Sequence, residues 1–273
     1  MLTEIPEKDA TGEIAPIFAE VRRLWGVPYV SAIQRHLATR PGFLEWAWEA
    51  VGPAFHSGEA QASGAAAARD VAMPPLDPVP RAALAAWSID DDALAAIKAV
   101  CEGFVRVAPV NMVFAGLIKA LLLGGAGRRS PDHRIPLYVP PAALPAPPAM
   151  IAPQSLPEDR RGILLAFATD SGGKPFIPGL YRMLAHWPGL LAHLATVLTP
   201  RLSRPEMHSA CDAVRERIDA ALPALLAGLP STPTVRPMPS PAERTHFLTV
   251  GETYRKTSPE LVVLGRLIKE ALP

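Results

Sequence analysis

A pattern that occurs twice at a fixed distance constrains the fold of this chain more than any other feature. Three prolines, Pro28, Pro41 and Pro53, return 147 positions later as Pro175, Pro188 and Pro200. Around the central proline, the two copies read Arg35-His36-Leu37-Ala38-Thr39-Arg40-Pro41-Gly42-Phe43-Leu44 and Arg182-Met183-Leu184-Ala185-His186-Trp187-Pro188-Gly189-Leu190-Leu191. Because solenoid units recur every ~20–50 residues, a repeat of this length is a duplicated, domain-sized half. Two similar halves usually pack about a pseudo-two-fold axis, and a ligand site is expected in the cleft between them.

A second echo and a proline-rich stretch give the boundaries of the two halves. Pro109, Val113 and Leu117-Ile118-Lys119 reappear 150 positions later as Pro259, Val263 and Leu267-Ile268-Lys269. Between the copies, the prolines from Pro131 to Pro153 are too dense for a helix and favour extended geometry. We therefore predict an N-terminal repeat at residues 1–124, a linker at 125–155 and a C-terminal repeat at 156–273.

Apolar residues follow helical spacing along most of the chain. Ile17, Phe18, Val21, Leu24 and Trp25 form one amphipathic face. The spacing also predicts helices over 43–51 and 190–198, and over 93–123 with an interruption near Pro109. The only strand-like stretch is Leu137-Tyr138-Val139, and prolines bracket it. The sequence therefore predicts an all-α fold with about five helices in each half.

Charge, cysteine content and hydropathy exclude several classes of partner. The net charge is +1, from 27 basic and 26 acidic residues, so there is no general electrostatic case for nucleic acid. The sequence has two cysteines, Cys101 and Cys211, which are too far apart to form a CxxC motif. This low cysteine content is typical of proteins in a reducing cytoplasm. The longest apolar stretch, from Met112 to Leu123, is interrupted by Lys119 and is too short to span a bilayer. We predict a cytoplasmic protein with neither a nucleic-acid nor a membrane partner.

The common catalytic and cofactor motifs do not occur in the sequence. It has no GxSxG, HExxH, P-loop or GxGxxG pattern. His186 and His193 lie seven positions apart, but no carboxylate accompanies them at the spacing of metal ligands. We therefore predict no metal site and no organic cofactor.

The twice-stated pattern carries a resemblance to a known enzyme family. The stretch from Ile17 to Val30, continued by Arg35, Leu37, Pro41-Gly42 and Trp48, resembles the N-terminal repeat of the group I 2-haloacid dehalogenases. Leu184-Ala185-His186-Trp187-Pro188 resembles the second repeat of that family, and the stretch from Asn111 to Leu121 resembles its central helix. The resemblance spans about residues 14–270.

This resemblance implies both a fold and a reaction. The fold is an all-α pseudo-dimer of two repeats with the active site between them, commonly assembled as a homodimer. In the reaction, an aspartate activates water, which displaces halide from Cα of a 2-haloalkanoic acid with inversion and without metal or cofactor. A general base inside an apolar cleft and donors for the substrate carboxylate suit this chemistry. A small carboxylate is thus the expected ligand, and a second copy of the chain is the expected partner.

When the family site is aligned with this sequence residue by residue, the sequence differs from the family at the position of the general base. Leu180 stands at the position of the aspartate and Gly179 at that of the serine before it. Tyr29 replaces a tryptophan, and Ala32 replaces a phenylalanine. Asn111 matches an asparagine of the family, which has more than one asparagine in this neighbourhood to which it could be aligned. The resemblance makes these five positions the substrate-binding residues and leaves the catalytic residue unassigned. Because leucine cannot take a proton, and losing a general base typically costs ~10²–10⁴-fold, we predict little or no dehalogenase activity.

Several functions stay open at this point. Asp170 is a candidate substitute base, although its place before glycines also fits a turn. The chain is either a divergent enzyme of this fold acting on a small substrate, or a catalytically silent member that binds a small ligand or forms a dimeric scaffold. A third hypothesis is an all-α alkylhydroperoxidase-like redox protein, against which the absent CxxC motif argues.

Overall fold

The computed structural model describes residues 3–130, 138–170, 175–232 and 234–273. Residues 131–137 of the predicted linker lie outside this part, as do residues 171–174 after the candidate base Asp170. Of Asp170 itself, only the backbone is described.

The described residues form an all-α fold, which confirms the predicted class. They contain eleven α-helices: α1 Ile14–Trp25, α2 Ala32–Leu37, α3 Phe43–His56, α4 Glu59–Ala67, α5 Arg81–Ala86, α6 Asp91–Leu122, α7 Glu158–Leu165, α8 Gly179–Leu184, α9 Pro188–Leu202, α10 Pro205–Ala227 and α11 Pro241–Ala271. The strands in these ranges are β1 Thr169–Asp170 and β2 Pro175–Phe176, an antiparallel pair in which Thr169 lies opposite Phe176. Tyr138 and Val139, which the sequence suggested as a strand, have no regular structure, and Leu137 lies outside the described residues.

Helix α6 continues through Pro109, so the predicted interruption was wrong. Proline removes one backbone hydrogen bond and crowds the preceding turn. Its neighbours Ala108 and Val110 are each only 4% exposed. Burial of apolar side chains on both sides of the proline stabilises a continuous helix.

By length and composition α6 could also cross a membrane, but 72% of its most apolar stretch is buried inside the protein. That degree of burial is typical of a core helix of a soluble protein.

The chain forms two compact units that do not follow chain order. Unit 1 contains Met1–Asp70, Arg106–Leu144 and Ala213–Pro259, and unit 2 contains Val71–Val105, Pro145–Asp212 and Glu260–Pro273. Each unit therefore takes segments from both predicted repeats, and helices α6, α10 and α11 each contribute residues to both units. The repeat boundaries at 124 and 156 stay a prediction.

Helix bounds repeat at the same offsets as the sequence. The first residues of α2 and α8, Ala32 and Gly179, are 147 positions apart, and so are their last residues, Leu37 and Leu184. Helices α6 and α11 begin 150 positions apart and end 149 positions apart. These bounds are consistent with the duplication, which itself remains a prediction.

Each unit has its own apolar core. In unit 1, aromatic rings from α1, α3 and α6 pack together: Phe55 stacks on Trp25 at 4.7 Å and on Trp48 at 6.0 Å, and lies 6.0 Å from Phe114. In unit 2, buried side chains from α5, the first half of α6, α8, α9 and the end of α11 form one cluster. These cores hold the short helices α2 and α8, which carry most of the predicted site.

Candidate functional site

Asn111 lies at the centre of a buried polar network in unit 1. Its side chain is 0% exposed. Its Oδ1 accepts hydrogen bonds from Trp25 Nε1 at 3.0 Å and from Gln34 Nε2 at 2.8 Å. Its Nδ2 donates to Ser31 Oγ at 2.8 Å and to Tyr254 Oη at 3.3 Å. We call these five residues the Asn111 cluster. Two acceptor and two donor positions exhaust the capacity of an amide, so Asn111 is fully hydrogen-bonded within the protein.

Local structure places the first members of the cluster. Helix α1 ends at Gly26, whose φ of +62° is a left-handed conformation that glycine adopts at little cost. This turn fixes Trp25 at the end of α1 and leads the chain back towards α2. Ser31 precedes α2 at the usual capping position, yet its side chain makes no cap bond to the helix. Its hydroxyl instead accepts the hydrogen bond from Asn111.

The indole of Trp25 fixes the orientation of the amide groups in the cluster. An indole N–H can only donate, so the atom of Asn111 that faces it must be the oxygen. Gln34 approaches the same oxygen and must present its NH₂ group. Its own oxygen, Oε1, then points elsewhere, and no donor among the described residues reaches it although Gln34 is 0% exposed. Buried acceptors are normally paired with protein or ordered water, so this oxygen is left to accept a hydrogen bond from outside the described residues.

Two tyrosines in unit 1 keep their protons at neutral pH. Burial raises the pKa of Tyr29 well above its usual value, Tyr254 raises it further, and the positive charge of Arg106 partly offsets the rise. Burial likewise raises the pKa of Tyr254, against the hydrogen bonds from Asn111 and Ser258, while the negative charge of Glu4 raises it and the positive charge of Arg35 lowers it. Both hydroxyls are therefore neutral hydrogen-bonding groups. Tyr29 lies near the guanidinium group of Arg106, and Tyr254 lies near the ion pair of Arg35 and Glu4.

The predicted binding residues divide between the two units. Tyr29, Ala32 and Asn111 belong to unit 1, whereas Gly179 and Leu180 belong to unit 2. Tyr29 and Ala32 are both half-buried, and Ala32 is the first residue of α2. Asn111 forms the network described above, and Tyr29 lies close enough to Tyr254 for that residue to raise its pKa.

In unit 2, the surroundings of Gly179 and Leu180 are apolar. Leu180 is 0% exposed and belongs to the core cluster of this unit. A Cβ added to Gly179 would lie 3.1 Å from Met150 Sδ and 3.3 Å from Phe104 Cζ. A side chain at position 179 would therefore press against these two residues, and Leu180 packs within the apolar cluster of this unit.

A carboxylate does lie next to the residue that follows Leu180. Tyr181 is 0% exposed, stacks on Phe167 at 4.0 Å and donates a hydrogen bond of 3.5 Å to Glu260 Oε1. Burial raises the pKa of Glu260 above its usual range, and the hydrogen bond from Tyr181 offsets only part of this rise. Glu260 is thus a poorly solvated carboxylate on α11 in unit 2. No local sequence motif marks it.

The histidines and cysteines are engaged in other contacts. No group of three or more His, Cys, Asp or Glu side chains could hold a metal ion in the part of the chain that is described. His193 packs on Trp87 at 5.3 Å, while His186 contacts the carbonyl oxygen of Ala149. Burial raises the pKa of the Cys101 thiol to about 12, so it stays protonated and is a poor nucleophile. That protonation argues further against the redox hypothesis.

The residues that sequence reasoning missed are Trp25, Ser31, Gln34 and Tyr254 as partners of Asn111. One signal was available for Gln34. It lies four positions after Val30 and three before Leu37, on the face of α2 whose other members are buried. A polar residue on an apolar helix face predicts a buried hydrogen bond. Tyr254 is 143 positions from Asn111 and carries no such signal.

Comparison with known proteins shows a fold. No protein-family model matches the chain, and no curated protein matches it either. Solved structures do match. A D-2-haloacid dehalogenase mutant superposes with a TM-score of 0.78 at 20% identity, covering 99% of this chain and 96% of that one. This chain has the fold of the D-2-haloacid dehalogenases.

Two further structures of dehalogenases support the same conclusion. A D-2-haloacid dehalogenase mutant in complex with D-2-CPA has a TM-score of 0.75 at 20% identity, covering 99% of this chain and 94% of that one. A D-2-haloacid dehalogenase in complex with L-LA has a TM-score of 0.72 at 21% identity, with 99% and 95% covered. The dehalogenase fold thus extends over nearly the whole length of both chains.

Proposed function

We propose that this chain is a 2-haloacid dehalogenase-like protein that binds a small 2-substituted carboxylic acid without removing its halide. The observation that carries the proposal is Leu180, a fully buried leucine in the apolar core of unit 2. By the resemblance in sequence, this is the position of the aspartate that activates water. A leucine there can neither accept a proton nor orient a water molecule.

The neighbouring position supports the same loss. The resemblance places a serine at position 179, where this chain has Gly179. Met150 and Phe104 lie within 3.3 Å of the point that a Cβ would occupy, so the space beside Gly179 is closed by apolar atoms. Both polar groups of this part of the family site are therefore replaced together. Two coordinated losses favour a change of role over an isolated defect.

Unit 1 retains features suited to a small acid. The solved dehalogenases of the same fold include complexes with D-2-CPA and with L-LA. In this chain, the predicted binding residues Tyr29 and Asn111 lie near the hydroxyl of Tyr254, the guanidinium groups of Arg106 and of the Glu4-paired Arg35, and the Gln34 oxygen that no described residue pairs. Neutral donors and nearby guanidinium groups are what a carboxylate needs. These residues support retention of binding where hydrolysis is lost.

One observation favours a second candidate, a divergent hydrolase. Glu260 is a poorly solvated carboxylate hydrogen-bonded to Tyr181, the residue directly after Leu180. A carboxyl group whose pKa is raised towards neutrality is a more effective general base than an ordinary one. If Glu260 supplied the base, hydrolysis would persist and would depend on this residue.

Halide release from D- and L-2-chloropropionate tests both candidates. We expect no release by the wild-type protein, together with a raised melting temperature in the presence of either or both acids. Turnover comparable to that of an active dehalogenase would refute the proposal. If that turnover disappeared in Glu260→Gln, the second candidate would replace it. If neither acid raised the melting temperature or gave a binding isotherm, the ligand-binding part of the proposal would fail.

A designed variant provides a further check of the lost base. Leu180→Asp restores a carboxylate at the family position, and Leu184→Asp places one in the same helix and core as a matched control. Each folded variant is identified by circular dichroism. Halide release by Leu180→Asp alone would support position 180 as the lost base. The wild-type assay stands independently of whether these variants fold.

The same proposal extends to the assembly and the location of the protein. The resemblance favours a homodimer, and the two free cysteines suit a reducing cytoplasm. Light scattering during size-exclusion chromatography measures the mass directly.

A further inference from the structure

We propose that Gln34 makes the ligand site selective for 2-hydroxy acids over 2-halo acids by accepting a hydrogen bond from the ligand hydroxyl. This inference rests on the proposed binding function and names the class of ligand. It concerns the Asn111 cluster in unit 1 alone.

The acceptor atom is determined by the chain of hydrogen bonds that begins at Trp25. The indole N–H fixes Asn111 Oδ1, and that oxygen in turn fixes Gln34 Nε2. Rotating the Gln34 amide by half a turn would bring two oxygens together at 2.8 Å, which is repulsive. Oε1 of Gln34 is therefore held facing away from Asn111, without a donor from the described residues.

This orphaned oxygen discriminates between ligands by their hydrogen-bond chemistry. A 2-hydroxy group can donate a proton to Oε1, whereas a 2-halo substituent has no proton to donate. Binding a halo acid would leave the buried oxygen unpaired, and sites built to hydrogen-bond a hydroxyl reject analogues that lack it. For a single neutral hydrogen bond we expect a preference of about 10-fold or more.

The position of Gln34 suits a role in ligand selection. It lies two residues after Ala32 and five after Tyr29, both predicted to bind substrate and both half-buried. The hydroxyl of Tyr29 is neutral and lies near Arg106, so groups that can bind the carboxylate of a ligand are present in the same unit. A carboxylate held by these groups and a hydroxyl on the adjacent carbon describe a 2-hydroxycarboxylic acid.

Isothermal titration of the wild-type protein with three propionates tests the inference from the ligand side. The probes are 2-hydroxypropionate, 2-chloropropionate and 2-fluoropropionate, each as separate enantiomers. Fluorine is close to a hydroxyl in size but donates no hydrogen bond, so it separates size from donation. We expect at least one enantiomer of the hydroxy acid to bind about 10-fold tighter than its fluoro and chloro counterparts. Equal affinities for the hydroxy, fluoro and chloro acids would overturn the inference. This holds whether a water molecule pairs with Oε1 or the oxygen stays without a partner.

Substitution tests it from the protein side. Gln34→Met keeps the length of the side chain and removes the oxygen together with the NH₂ group that bonds Asn111, and the ratio of hydroxy-acid to fluoro-acid affinity should fall to about 1. Gln61→Met is the matched control, because Gln61 is also a buried glutamine of unit 1 whose Oε1 lacks a partner among the described residues, but it bonds Phe55 and Leu24 instead of Asn111. The control should keep the wild-type ratio. A preference that survived in Gln34→Met would refute the role of Gln34.

The results distinguish failure of this inference from failure of the proposed function. If neither acid bound, or if halide were released, the proposed function itself would fail. If both acids bound equally well without turnover, only the selectivity inference would fail.

Discussion

Replacing Asn111 with leucine should destabilise unit 1 because it removes the acceptor for two buried donors. Asn111 is 0% exposed, and its Oδ1 accepts from Trp25 and Gln34 at 3.0 and 2.8 Å. In Asn111→Leu, both N–H groups lose the acceptor that they share. The hydroxyls of Ser31 and Tyr254 lose a donor as well, but a hydroxyl can rotate to a new partner.

The magnitude follows from the number of groups left unpaired. Each buried donor without a partner costs about 1–3 kcal/mol, so the two together cost about 2–6 kcal/mol. The hydroxyls add less, and the gain from burying leucine offsets a part of the total. Because domains are typically stable by about 5–15 kcal/mol, such a loss would be easy to measure.

Urea unfolding followed by far-ultraviolet circular dichroism measures this loss. A double-mutant cycle with Trp25→Phe isolates the hydrogen bond, since phenylalanine keeps an aromatic ring and removes the N–H donor. We expect the combined variant to be less destabilised than the sum of the single variants, by about 0.5–3 kcal/mol. The reasoning would be refuted if Asn111→Leu cost less than about 1 kcal/mol, or if the two substitutions were additive.

Two further predictions concern single positions in the two units. Because burial raises the pKa of Glu260, the folded protein binds this proton more tightly than the unfolded chain and loses stability as the pH rises through that pKa. Glu260→Gln should therefore raise the melting temperature at about pH 7 and change it little at about pH 4, and a lower melting temperature at neutral pH would contradict this. At Gly116, a Cβ would lie 2.5 Å from Arg255 Nη1 and 2.6 Å from Leu222 Cδ1, so Gly116→Ala should cost about 1–3 kcal/mol in urea unfolding. The helical control Gly162→Ala has nothing within 4 Å and should be neutral or stabilising; equal costs for both would argue against crowding.

The helices could be predicted because their signal is local. The apolar face of Ile17, Phe18, Val21, Leu24 and Trp25 predicted α1, and all five residues are buried in it. Side chains three and four positions apart share a helix face whatever the rest of the chain does. The interruption at Pro109 failed for the complementary reason, since the local cost of proline is outweighed by burial that depends on neighbouring helices.

Only one member of the Asn111 cluster was singled out from the sequence. Asn111 was singled out from its resemblance to a family motif, and the structure places it in a buried network. Its partners were not predicted, apart from the unused signal at Gln34. Glu260 was missed because a single carboxylate on a long helix looks like any solvated charge. Only its contact with Tyr181 and its burial distinguish it.

The sequence by itself determined the all-α class and the absence of a carboxylate at position 180. Helical periodicity is a property of neighbouring residues, and leucine cannot accept a proton in any fold. Only the tertiary structure decided what Asn111 does, because its partners Trp25, Gln34 and Tyr254 lie 86, 77 and 143 positions away. Hydrogen bonds depend on distance and direction in space. The Gln34 oxygen, which no described residue pairs, could therefore be recognised only once folding had brought the side chains of Trp25, Gln34 and Asn111 together.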